Sequence, residues 1–211
     1  MTPRFRTLLP VAVFTGGYML IALAAALAMR NFEFLFYIAT MTLIAGVIAL
    51  VHDRVGLSRG VTWALALWGL AHMAGGLVPL PAGWPHEPPN AVLYSLWLIP
   101  DLLKYDHVVH AYGFGVTTWL CWEGLRAVAG VMKPTLGLLT LAAAAALGFG
   151  ALNEVIEFAA TLLMPDTNVG GYENTGWDLV ANLVGAVIGA GLIAATHRRG
   201  ETRGVGRPGP R

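Results

Sequence analysis

The sequence predicts an all-α polytopic membrane bundle of about six transmembrane helices, both termini cytoplasmic, forming a single domain over residues 1–196. Three observations carry that expectation. Of 211 residues, 56% are hydrophobic and only 12% charged, whereas an ordinary soluble domain carries about 25% charged residues. The apolar residues form continuous runs rather than alternating ones, which excludes β-barrel strands and suits helices of roughly 20 residues crossing a hydrocarbon core of about 30 Å. Finally, eleven of the 13 lysines and arginines fall on one side of the alternating spans, the pattern of cytoplasmic loops.

In chain order the expected spans are 7–28, 32–51, 61–80, 103–125, 135–163 and 177–196. The inner side holds Arg4, Arg6, Arg54, Arg59, Arg126, Lys133, Arg198, Arg199, Arg203, Arg207 and Arg211, against Arg30 and Lys104 outside. Arg4, Arg6 and the "ALA" before Met29 have the look of a cleaved signal, but the first apolar run is longer than such a core and is read as a span. The connection "PLPAGWPHEPPN" (79–90) is too rich in proline to be helical throughout. "AVLYSLWLIP" (91–100) is too short to span and is expected to be interfacial or re-entrant. The basic tail 197–211 is expected to be disordered. A net charge of +1 gives no footing for nucleic acid, and the single cysteine, Cys121, excludes an internal disulfide framework or a Cys-rich zinc site.

Against this apolar background, ionisable and amide residues occur at selected places: His72 on span three, Asp106, His107 and His110 on span four, Glu154 and Glu157 on span five, and Asp178 and Asn182 on span six. Measured by helical rise from the outer ends, these groups fall roughly 5–14 Å deep, with Asp178 near the rim. Four helices of alternating direction thus deliver polar groups to one outer-leaflet level. Asp106/His110 and Asp178/Asn182 are spaced i,i+4 and Glu154/Glu157 i,i+3, so each pair shares a helix face. Gly113, and Gly185 with Gly189 in a small-xxx-small pattern, are expected at close helix contacts.

A lone charge at mid-membrane costs about 2.5 kcal/mol or more, so the carboxylates must be paired, protonated, hydrated or metal-bound. No lysine or arginine is expected at their depth, because Lys104 can snorkel to the surface. Plainer roles stand beside these. Asp178 with Thr175 fits a capping box, Asp101 fits the cap of span four, and Glu123 with Arg126 fits a surface ion pair. Tyr94, Trp97, Tyr105 and Trp177 fit interfacial aromatics. The whole polar set also fits a network that only locks helix packing.

"YDHVVH" (105–110), "NEVIEF" (153–158), "ENTGWDLVANLVGA" (173–186) and "HMAGG" (72–76) resemble the bacterial inner-membrane family typified by YjdF and, more distantly, the VanZ-like family. The resemblance covers about residues 60–190 and places Asp106, His110, Glu154, Glu157, Asp178, Asn182 and Gly185 at motif positions. Glu157 stands where the VanZ-like pattern tends to have glutamine, and no arginine precedes Asp178 in its loop. Both departures favour the YjdF-like branch. The resemblance implies a multi-pass protein of the bacterial cytoplasmic membrane and no established activity.

The leading functional expectation is a divalent metal (zinc, manganese, iron or magnesium) held by some of Asp106, His110, Glu154, Glu157 and Asp178. His72, His107 and Asn182 would line the site, and Glu154 would act as general base, with His110 also in the catalytic set. The outer-leaflet depth points to membrane lipids and a lipid or lipid-linked substrate, hydrolysed or transferred. The alternatives are a proton- or cation-coupled transporter and a non-catalytic module in which the polar set is internal glue. Nothing in the sequence fixes an oligomeric state.

Overall fold

The computed structural model describes residues 3–164 and 167–205. It is all-helical apart from one small hairpin, with six helices: α1 (Pro3–Met29), α2 (Phe32–Val55), α3 (Arg59–Leu77), α4 (Tyr105–Ala129), α5 (Leu136–Leu163) and α6 (Tyr172–Val205). Of these, α1, α2, α5 and α6 are long and apolar enough to cross a membrane. α3 and α4 are diluted by Arg59 and His72, and by Asp106, His107 and His110.

Local chemistry sets the helix ends. Asn31 Oδ1 accepts from Phe34 N–H at 3.0 Å and opens α2, and Gly56 closes it in the left-handed region at φ 76°. Ser58 Oγ and Thr135 Oγ1 cap α3 and α5. α3 stops at Leu77 because Pro79 follows, short of the expected residue 80. α4 starts at Tyr105 rather than 103, since Leu103 and Lys104 are strand residues.

α6 starts at Tyr172, five residues before the expected 177, with Glu173 complementing the positive end of the helix. Thr175 N–H already bonds back to Gly171 O at 3.1 Å, so Asp178 lies in the second turn and the capping box is not formed. α6 also continues through Val205, where a disordered tail was expected. The remainder of that tail, 206–211, lies outside the described residues.

α4 is central and packs on α3, α5 and α6. At the α4–α6 seam, a Cβ on Gly185 would collide with the Ala111 carbonyl and one on Gly189 would lie 2.5 Å from the Gly115 carbonyl. Two backbones therefore meet with no side chain between them. Gly113 serves a different contact, receiving the Trp68 indole of α3.

Residues 78–104 form neither a re-entrant helix nor a loose loop. A 3₁₀ turn (Leu93–Ser95) leads into strand β1 (Trp97–Ile99), which pairs antiparallel with β2 (Leu103–Lys104). Asp101 occupies the turn between them at φ 56° and caps no helix. This hairpin lies at the same end of the bundle as the α1–α2 and α5–α6 connections. Asn90 Nδ2 donates to Asn168 Oδ1 at 2.8 Å, and Asn168 N–H to Glu33 Oε2 at 2.9 Å, tying all three together.

The opposite end holds a dry cluster of Trp122, Leu139, Ala142 and Ile193. There Arg4 donates to the last carbonyls of α2, Asp53 O and Arg54 O. Glu123 does not reach along its own helix as expected but accepts from Ser58 N–H at 2.8 Å, joining α4 to the start of α3.

Candidate functional site

α4 carries the centre of the site. Asp106 and His110 are one turn apart, and His110 Nε2 lies 3.6 Å from Asp106 Oδ1 and 4.0 Å from Asp178 Oδ1 of α6. Its Nδ1 lies 3.0 Å from Asn182 Oδ1 and 3.9 Å from Glu154 Oε1 of α5. The backbone contact at Gly185 is what lets the short Asp178 and Asn182 side chains reach α4 at all. Asp178 and Asn182 are essentially sealed, at 1% and 0% exposure.

Two sets of three ligand atoms fall within 4.8 Å of one another: Asp106, His110 and Asp178, and His110, Glu154 and Glu157. The four carboxylates expected as metal ligands thus gather around one imidazole, that of His110. The two glutamates differ. Asn153 Nδ2 donates to Glu157 Oε1 at 2.7 Å, whereas neither buried oxygen of Glu154 has a hydrogen bond, nor does Asp178 Oδ1. Buried carboxylate oxygens without donors are costly and are normally satisfied.

Carboxylate oxygens of Asp106, Asp178 and Glu154 stand 3.6, 4.0 and 3.9 Å from the two ring nitrogens, and a bound cation or shared protons between such groups would relieve their mutual repulsion. Ligand distances of about 2.0–2.2 Å around a tetrahedral ion put neighbouring donor atoms about 3.4 Å apart. The observed 3.6 and 4.0 Å need to contract only slightly to meet that spacing.

Above this cluster opens a cavity of about 780 Å³. Asp106, Glu157, His72 and His107 line it, while His110, Glu154 and Asp178 lie behind its lining. His72 is boxed by the Phe34, Tyr37, Trp68 and Tyr94 rings, and its Nδ1 is hydrogen-bonded with the Tyr94 hydroxyl. Burial, reinforced by Asp106 and Glu157, pushes the Tyr94 phenol well above its ordinary value, so that hydroxyl stays protonated. His72 therefore lines the cavity without joining either ligand set. His107 packs against Trp177, with ring centroids 6.1 Å apart and planes tilted by 32°, and its Nδ1 accepts from Lys104 N–H at 3.3 Å.

Several participants escaped the sequence reading. Lys104 does not snorkel. Its side chain is only 7% exposed, and Nζ donates to Glu87 Oε2 at 2.7 Å and to Asn174 Oδ1. Asn174 Nδ2 in turn donates to Asp178 Oδ2 at 2.6 Å, completing a chain from Glu87 to the metal-ligand candidates. The i,i+4 spacing of Asn174 and Asp178 was a readable signal, but the expected helix start hid it. Glu33, at the first turn of α2, is buried and lines the same cavity. Tyr94 and Tyr105 are not interfacial anchors either. One hydroxyl serves His72 and the other donates to Ala71 O at 3.1 Å.

No curated protein and no solved structure that was compared with the chain matches it. A family model described as a predicted membrane protein, DUF2238, does match, and it spans residues 10–199, nearly the whole helical bundle and every residue of the site. The apolar helices and that match agree with the YjdF-like resemblance, and the chain belongs to the DUF2238 family of predicted membrane proteins.

Proposed function

We infer that this is a six-span protein of the bacterial cytoplasmic membrane with both termini inside, and that it acts as a metal-dependent hydrolase or transferase on a lipid or lipid-linked substrate at the outer leaflet. One observation carries the reading: ligand atoms of Asp106, His110 and Asp178 lie within 4.8 Å of one another, and Asp178 Oδ1 has no hydrogen bond. Those three side chains hold a divalent ion, of which zinc, manganese and iron suit an imidazole with two carboxylates and magnesium suits the oxygens. When bound, such an ion lowers the pKa of a water and polarises an ester or phosphoryl oxygen. Glu154, behind the cavity with both oxygens free of donors, is the general base. Glu157, held by Asn153, keeps the second carboxylate wall in place. Tyr94 and His72 shape the wall without exchanging ligands with the ion.

A conduit for ions needs a polar path through both ends of the bundle, and at the far end α4, α5 and α6 close around Trp122, Leu139, Ala142 and Ile193 while Arg4, His52 and Glu123 are engaged with backbone groups at the helix ends. A pocket open at one end suits chemistry on a bound substrate better than transport.

Metal analysis of the purified protein tests the reading. Stoichiometric divalent metal is expected, lost on combining His110→Ala with Asp178→Asn while the helical content is retained. Added ion at about 100-fold its Kd should stabilise the apo protein by about 2.7 kcal/mol. Protein free of metal, with a melting temperature indifferent to chelator and to added zinc, manganese, iron and magnesium, would leave the polar set as structural glue.

A further inference from the structure

The cavity over the site is acidic. Glu33, Asp106 and Glu157 line it together with Glu87 at its mouth, and the sole lysine or arginine among its lining residues is Lys104. An anionic group entering such a space is repelled everywhere except at that cation. Lys104 is also prepared for a ligand in a way that a structural lysine need not be. Its Nζ has three protons, and two acceptors are recorded, Glu87 Oε2 and Asn174 Oδ1.

The two acceptors differ in kind. Asn174 is fixed by its own bond to Asp178, deep in the bundle. Glu87 is 49% exposed at the mouth, and its backbone, not its carboxylate, is what anchors it, through Glu87 N–H to Ser95 O at 2.9 Å. Because Lys104 is buried, its ammonium needs an anionic partner, and the half-exposed Glu87 carboxylate can swing into water when another anion takes that role.

We propose that Lys104 is the anchor for a phosphate group of the substrate, a phosphate-bearing lipid, and that the Glu87 carboxylate occupies this anchor until the phosphate displaces it. The proposal rests on the functional reading above and names its substrate class. A lysine ammonium is a compact point charge suited to a phosphate oxygen. Trp97 flanks it, with Nζ 5.9 Å from the ring centroid, and offers the apolar and aromatic surface that a headgroup region meets. The position is also productive. From Nζ, one amide, Asn174, leads to Asp178, so a phosphate held there sits at the cavity mouth, one side chain removed from the Asp106–His110–Asp178 cluster.

The test uses the full chain in neutral detergent, titrated calorimetrically with dioctanoylphosphatidate, with dioctanoylglycerol and inorganic phosphate as parallel arms, each with and without chelator. Phosphatidate should bind the wild type, and Lys104→Gln should weaken it by about tenfold or more. Glu87→Gln should tighten it several-fold, because the internal competitor is gone. That opposite sign is something a purely structural ion pair does not produce. Should Lys104→Gln fail to fold, the exposed Glu87→Gln variant decides alone.

Unchanged or weakened binding in Glu87→Gln overturns the proposal, as does equal binding of dioctanoylglycerol and phosphatidate. Inorganic phosphate that reproduces the whole variant pattern, with no gain from the lipid tails, keeps the anchor and overturns the lipid source. Because Lys104 is not a ligand of the proposed ion, the pattern should persist in chelator. Failure of the metal reading and failure of the anchor are therefore separable.

Discussion

The two ends of the bundle are built on opposite principles. One end is dry, with Trp122, Leu139, Ala142 and Ile193 interlocked and short connections at 56–58 and 130–135. The other end carries the 78–104 hairpin, a large cavity, and a buried set of carboxylates and histidines, several of whose atoms have no hydrogen bond. The same α4, α5 and α6 run through both ends. Apolar packing dominates the seam of α4, α5 and α6 at one end, whereas at the other the same helices place carboxylates around one imidazole.

The seam that joins the two ends should be the most sensitive place. Gly185→Leu puts a side chain where the Ala111 carbonyl already sits, and no rotamer escapes a backbone clash. Loss of folded, monodisperse protein is expected on size-exclusion chromatography. Gly148→Leu, on α5 with open space around it, should behave as wild type. Equal behaviour of the two would mean that α4 and α6 do not touch through their backbones.

Next in size is a pair of substitutions that should separate stability from site chemistry. Trp122→Ala should lower stability by about 2 kcal/mol, less than for water-soluble cores because lipid solvates the displaced surface. Its metal-induced stabilisation should be unchanged. Asp178→Asn should do the reverse. In chelator it removes one of the facing acceptors and raises the melting temperature by an amount worth about 1 kcal/mol. With divalent metal it loses the stabilisation seen in wild type. Thermal melts of both variants with and without metal give four numbers, and the sign reversal for Asp178→Asn is the informative one.

How far this contrast could be read from sequence depends on the kind of signal. Helix existence was legible because long apolar runs and the spacing of Asp106, His110, Glu154, Glu157, Asp178 and Asn182 are local, periodic properties. The convergence expected from helix direction and rise is met within two triads that share His110, Asp106–His110–Asp178 and His110–Glu154–Glu157, each with ligand atoms within 4.8 Å of one another. Lys104, Glu87 and Glu33 were not legible, since Lys104 and Glu87 are brought together by a hairpin whose pairing spans residues 79–104 and Glu33 is held by Asn168 across 135 residues, neither of which leaves a periodic trace. The misread start of α6 had a similar origin. "ENTGWD" contains a plausible cap, and only the helical bond from Thr175 N–H to Gly171 O shows that the helix has already begun.

The smallest expected effect lies at the dry end, and it bounds the comparison from below. Glu123 accepts from Ser58 N–H at 2.8 Å in an exposed setting, satisfying one donor at the start of α3 that would otherwise turn to water. Glu123→Gln keeps an acceptor of nearly the same shape and removes only the charge, so a loss of about 0.5 kcal/mol is expected, within the range for a carboxylate near a helix N-terminus. Raised salt should shrink the difference between the two proteins, because the charge is at the surface. Neither metal content nor phosphatidate binding should move. If Glu123→Gln instead altered either one, the two ends would be coupled through α4, and the far end could no longer be treated as scaffold alone.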